Sequence, residues 1–102
     1  MLKKVNENEF KEEIKEGVVV VDFFADWCGP CKMLSPIMES LSEEMNNVNF
    51  IKVNVDECGD IAREYRIMNI PTVIMFKDGV KKETIVGFNP KEVLSEKIKQ
   101  YL

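Results

Sequence analysis

The run Val18-Val19-Val20-Val21-Asp22-Phe23-Phe24 constrains this chain more than any other segment. β-Branched and aromatic residues favour extended backbone, and a nearly continuous series of them lacks the in–out alternation of a strand with one wet face. It reads as a strand buried on both faces of a parallel sheet, so covering layers are needed on either side. One charge, Asp22, interrupts it. The stretch 18–25 is also the longest near-apolar run, and it falls far short of a bilayer span, so no membrane association is expected. A chain of 102 residues holds one core, and residues 1–102 are read as a single domain.

The rest of the sequence alternates around that strand. Residues 6–17 read as a helix, with asparagines for capping, Phe10 and Ile14 four apart, and Gly17 as the stop. After a loop at Ala25, Asp26 and Trp27, residues 28–45 place Met33, Leu34, Ile37, Met38, Leu41 and Met45 on one helical face. Pro36 lies inside that helix and predicts a kink. Residues 48–55 form a second strand, and a short helix through Ile61, Ala62 and Tyr65 follows. Ile70-Pro71 opens a third strand at 72–76, and Asp78-Gly79 supplies the positive φ of a tight hairpin returning over 81–86. Asn89 reads as a cap with Pro90 at the first position of a last helix, whose buried side is Val93, Leu94, Ile98 and Tyr101. The order predicts an α/β protein with three α/β/α layers and a mixed central sheet, parallel strands first and an antiparallel hairpin at the C-terminal end.

Composition removes several functions. Fourteen basic and eighteen acidic side chains give a net charge of −4, which argues against nucleic acid as a partner. Histidine is absent from the sequence, which excludes Ser-His-Asp and Cys-His hydrolases and histidine-ligated zinc catalysis. The glycines form neither a phosphate-binding loop nor a dinucleotide fingerprint, and no organic cofactor is expected. Three cysteines, 28, 31 and 58, suit a reducing compartment better than a stapled secreted scaffold. The first residues lack the apolar core of a secretory signal, and a cytoplasmic location is expected.

Cys28-Gly29-Pro30-Cys31 lies where the buried strand gives way to a helix. Residues three apart on a helix share a face, so the two sulfurs reach disulfide distance with little backbone movement. Cys28, in the first turn, sits near unpaired backbone N–H groups and the positive dipole end, which favours its thiolate and makes it the nucleophile. The dipole contributes only about 0.3–1 kcal/mol, so direct hydrogen bonds to the sulfur must do most of that work. Cys31, a turn deeper, is expected to be shielded and to resolve the mixed disulfide. A zinc reading needs four ligands, and one chain with three cysteines and no histidine cannot supply them; only a cluster shared across a dimer is left for a metal.

The run Trp27-Cys28-Gly29-Pro30-Cys31-Lys32 resembles the active site of the thioredoxin family. Residues 21–25, Pro36, residues 52–56, Ile70-Pro71-Thr72, residues 76–79 and Val86-Gly87 are similar to that family's landmarks, in the same order. The resemblance implies a thioredoxin fold and a protein-disulfide reductase. Its partners would be disulfide-containing protein substrates and a separate thioredoxin reductase, and it would act as a monomer. A carboxylate in an apolar strand is desolvated and basic enough to take the Cys31 proton, which makes Asp22 the candidate acceptor. The bland alternative is an Asp at a strand end facing water; the resemblance favours the buried acid.

Lys52 taken alone is a snorkelling surface lysine, whereas the resemblance sets it beside the acid as a supporting cation. Pro71 taken alone is a trans proline opening an edge strand, and the resemblance implies a cis bond facing the cysteines. Trp27, Gly29, Pro30, Ile70, Pro71 and Gly87 would then form the apolar substrate-binding face. Asn69 and Phe88 depart from the small residues common at their positions and bear on partner preference. Cys58 reads as a bland small core residue. The rival to the enzyme reading is a binding module of the same fold with incidental cysteines.

Overall fold

The computed structural model describes residues 2–102. In chain order the elements are β1 (Lys3–Lys4), α1 (Glu7–Ile14), β2 (Val18–Phe24), α2 (Gly29–Glu44), β3 (Val48–Asn54), α3 (Gly59–Glu64), β4 (Thr72–Lys77), β5 (Val80–Val86) and α4 (Lys91–Lys99). The strands form one sheet in the order β1-β3-β2-β4-β5. β1 and β2 both pair with β3 in parallel, while β4 runs antiparallel to β2 and β5 antiparallel to β4.

β2 lies at the centre, and its period of two sorts the core into two layers. Val18 and Val20 face α2 and α4, packing with Leu34, Met38, Leu41, Phe50, Met75, Leu94 and Ile98. Val19, Val21 and Phe23 face α1 and α3, packing with Phe10, Ile14, Ile51, Ile61 and Phe76. By the same alternation Asp22 points to the α2 side, opposite Lys52 of β3 and Val73 of β4 in the register. The expected three layers and mixed sheet are therefore present.

Local chemistry explains where elements start and stop. α1 opens on a reciprocal capping box: Glu9 N–H donates to Asn6 Oδ1 at 3.0 Å, and Asn6 N–H to Glu9 Oε1 at 3.1 Å. The helix ends at Ile14 rather than running to Gly17, which instead adopts φ +70° and turns the chain into β2. α2 runs unbroken through Pro36. The hairpin turn has φ of +51° at Asp78 and +84° at Gly79, as a two-residue turn with both centres left-handed requires. One boundary differs from expectation: Pro90, not Asn89, is the residue before α4, and it caps nothing with its side chain. The Asn89 side chain instead reaches back toward the Gly87 carbonyl at 3.4 Å, which takes it away from the helix end. β1 is a two-residue exposed strand that pairs by backbone alone, so no side-chain pattern announced it.

Candidate active site

Three residues separate the end of β2 from Cys28, which is the N-cap of α2. Cys28 and Cys31 form a disulfide with Cα atoms 5.3 Å apart. The Cys31 backbone N–H donates to Cys28 Sγ at 3.2 Å, the direct hydrogen bond that stabilising a thiolate at that position calls for. Pro30 stands in the first turn, where its missing N–H would have had no helical partner anyway. A side chain at Gly29 would meet nothing within 4 Å, so the backbone over the disulfide is open to an approaching chain. Cys31 is shielded as expected, at 4 % exposed, and Cys28 is equally covered in the bridged protein, also at 4 %. Bridging turns the sulfurs against each other under Ala25 and Ile70, so what distinguishes Cys28 is its place at the helix terminus.

Asp22 is 2 % exposed, and its Oδ1 has no hydrogen-bond partner among the described residues. Burial raises its pKa to about 7, and the charge of Lys52 pulls in the opposite direction. The carboxyl lines a cavity of about 140 Å³ together with Phe24, Ala25, Asp26, Cys31, Lys32, Ser35 and Lys52. Asp22 and Cys31 thus open onto one space. Lys52 sits over the Phe24 ring, with Nζ 5.3 Å from its centroid, and lines the same cavity as Asp22. Asp26 and Ser35 were not singled out from the sequence; Ser35 lies one helical turn past Cys31, a spacing that marks the shared face.

The Ile70–Pro71 peptide bond is cis, and the Ile70 carbonyl lies 3.7 Å from Cys28 Sγ. Gly87, at φ +88°, donates its N–H to the Pro71 carbonyl at 2.8 Å, and Thr72 Oγ1 donates to the Asn69 carbonyl at 2.5 Å. Ile70, Pro71 and Gly87 are thereby brought beside the disulfide. Trp27 is 71 % exposed, and its indole N–H donates to Asp56 Oδ2 at 2.9 Å. Sequence reasoning gave Asp56 no role, because its partner is 29 positions away. Cys58 is buried, its thiol directed at the Val5 carbonyl at 3.9 Å, and burial pushes its pKa up; those surroundings suit a core residue.

A thioredoxin family model matches residues 1–100. The chain belongs to the thioredoxin family. It is 46% identical over 100 residues to the thioredoxin of Bacillus subtilis, covering 97% of this chain and 96% of that one. It is 42% identical to the thioredoxin of Chlamydia trachomatis, with 99% of each chain covered. Among solved structures, a mutant thioredoxin from Halobacterium salinarum superposes with a TM-score of 0.93 at 35% identity, covering 98% of this chain and 89% of that one. Plasmodium falciparum thioredoxin gives 0.91 at 37% identity, covering 98% and 99%. As a thioredoxin-family protein, the chain is a protein-disulfide reductase, a thiol–disulfide oxidoreductase working through Cys28 and Cys31. Phe88 is 41 % exposed next to Gly87, and Asn69 is exposed next to Ile70.

Proposed function

We propose that the protein reduces disulfides of other proteins in the cytoplasm as a monomer, with Cys28 as nucleophile, Cys31 as resolving thiol and Asp22 as proton acceptor. The Cys28 thiolate attacks one sulfur of a substrate disulfide; that S–S bond breaks, a mixed disulfide forms, and the first substrate thiolate leaves. Cys31 gives its proton to Asp22 across the shared cavity and attacks Cys28 Sγ. The mixed disulfide breaks, the second substrate thiolate leaves, and two electrons have passed from the Cys28–Cys31 dithiol to the substrate. The tether between the cysteines makes the second attack intramolecular, which favours release over dissociation of the mixed disulfide. A separate thioredoxin reductase returns the bridge to the dithiol.

The single observation that carries the roles is the shared cavity: a buried carboxyl whose Oδ1 has no hydrogen-bond donor among the described residues opens onto the same space as Cys31. With a pKa of about 7, it is near-ideally placed to exchange a proton at neutral pH. Lys52 keeps that pKa from rising further. Trp27, Gly29, Pro30, Ile70, Pro71 and Gly87 surround the bridge as an apolar face, which suits an extended substrate of varied sequence. Turnover of a model protein disulfide with a chemical reductant tests the scheme. Wild type should cycle, and Cys31→Ser should accumulate as a mixed disulfide at Cys28; a mixed disulfide that forms instead at Cys31 in Cys28→Ser, with none in Cys31→Ser, would reverse the assignment.

A further inference from the structure

We propose that Asn54 is a positioning residue of the exchange site, its buried side-chain carbonyl closing the turn that presents Asp56 to the Trp27 indole. Asn54 ends β3 and is 2 % exposed. Its Oδ1 accepts the N–H of Asp56 at 2.9 Å and of Glu57 at 3.3 Å. Its main-chain carbonyl accepts from Glu57 at 3.2 Å and from Cys58 at 2.9 Å. One residue therefore gathers three consecutive N–H groups and fixes the direction in which the Asp56 side chain leaves the turn. The turn is also tied to the strand that leads into the site, since Val55 N–H donates to the Phe24 carbonyl at 2.9 Å.

Asp56 then reaches Trp27 with the 2.9 Å indole bond. A tryptophan this exposed has little packing to hold its ring, so the bond to Asp56 selects its rotamer. The neighbour of Trp27 is Cys28. The path from a buried amide to the nucleophile's flank is thus Asn54, turn, Asp56, Trp27. The functional consequence rests on the reading of Trp27 as part of the substrate face: holding the ring in advance removes an ordering cost from docking.

Trp27 is the sole tryptophan in the sequence, so its fluorescence anisotropy in the reduced protein reports the tether directly. Asn54→Ala should lower that anisotropy to the level of Asp56→Ala. It should also raise KM for a protein disulfide about three- to tenfold, the range one lost hydrogen bond covers, with a smaller fall in kcat. Asn54→Asp keeps the acceptor oxygen and should restore both. Adding Asn54→Ala to Asp56→Ala should change neither further. Unchanged Trp27 anisotropy in folded Asn54→Ala, or an equal loss of activity in the Asp56→Ala background, would overturn the proposal. If Asn54→Ala does not fold, Asn54→Ser carries the same comparison. Trp27→Ala separates the two ideas: an unchanged KM there defeats the docking reading even where the anisotropy still follows Asn54.

Discussion

Asp22 binds its proton more tightly in the folded chain, with a pKa of about 7, than in the unfolded chain, where an ordinary aspartate titrates near 3.8. The stability that follows is full below about pH 4 and is lost as pH rises through about 7, above which the fold carries a buried charge. A shift of that size corresponds to about 4 kcal/mol. Asp22→Asn should therefore raise stability by roughly 2–4 kcal/mol at about pH 8, and by much less near about pH 4. Denaturant titrations at the two pH values read this out; equal gains at both would show that desolvation of the charge is not the cause. The same variant should slow resolution of the mixed disulfide at neutral pH, and an unchanged rate would remove Asp22 from the mechanism. Lys52→Met should move the Asp22 titration upward, because the cation opposes the effect of burial; NMR titration of the carboxyl carbon would show it.

α3 shows how an element can depend on another for its start. Its six residues are too few to be stable alone, and its N-cap, Cys58, makes no side-chain capping bond. Glu7, from the first turn of α1, takes that place: its Oε1 accepts the N–H of Asp60 at 2.7 Å and of Ile61 at 3.4 Å. Glu7→Ala should cost about 1 kcal/mol, the usual value of a lost cap, and should speed amide exchange at Asp60. Exchange at Asp60 that does not change would mean the cap is idle. The β4–β5 turn is held similarly from afar, with Gly17 N–H donating to Asp78 Oδ1 at 2.8 Å and Asp78 N–H to the Gly17 carbonyl at 3.0 Å. Gly79→Ala, at φ +84°, should cost about 1 kcal/mol because a Cβ disfavours that backbone. A melting temperature equal to wild type would contradict it. The hairpin was legible from Asp78-Gly79 and α1 from its cap, because both signals are local. The Glu7 cap and β1 were not, since each consists of backbone groups meeting side chains or strands distant in sequence.

For the whole molecule, the bridge joins β2's exit to α2 and closes a very short loop, so reduction should lower stability by only about 2 kcal/mol on the chain-entropy account. Urea denaturation of the oxidised and reduced protein tests this, and a reduced form as stable as the bridged one would contradict it. What the sequence alone determined was periodic and local. The 2.0 and 3.6 repeats settled the layers, the Cys28–Cys31 spacing marked the redox pair, and an acid within a valine run marked Asp22. Tertiary structure decided the rest. Pairing β2 with β3 set Lys52 beside Asp22, and packing α2 across them left a cavity in which Oδ1 meets no donor among the described residues. The same pairing carried Asn54 and Asp56 to Trp27. The reason is physical: a hydrogen-bond partner or a pKa depends on which groups surround an atom in space, and that arrangement exists only once the sheet has chosen its strand order.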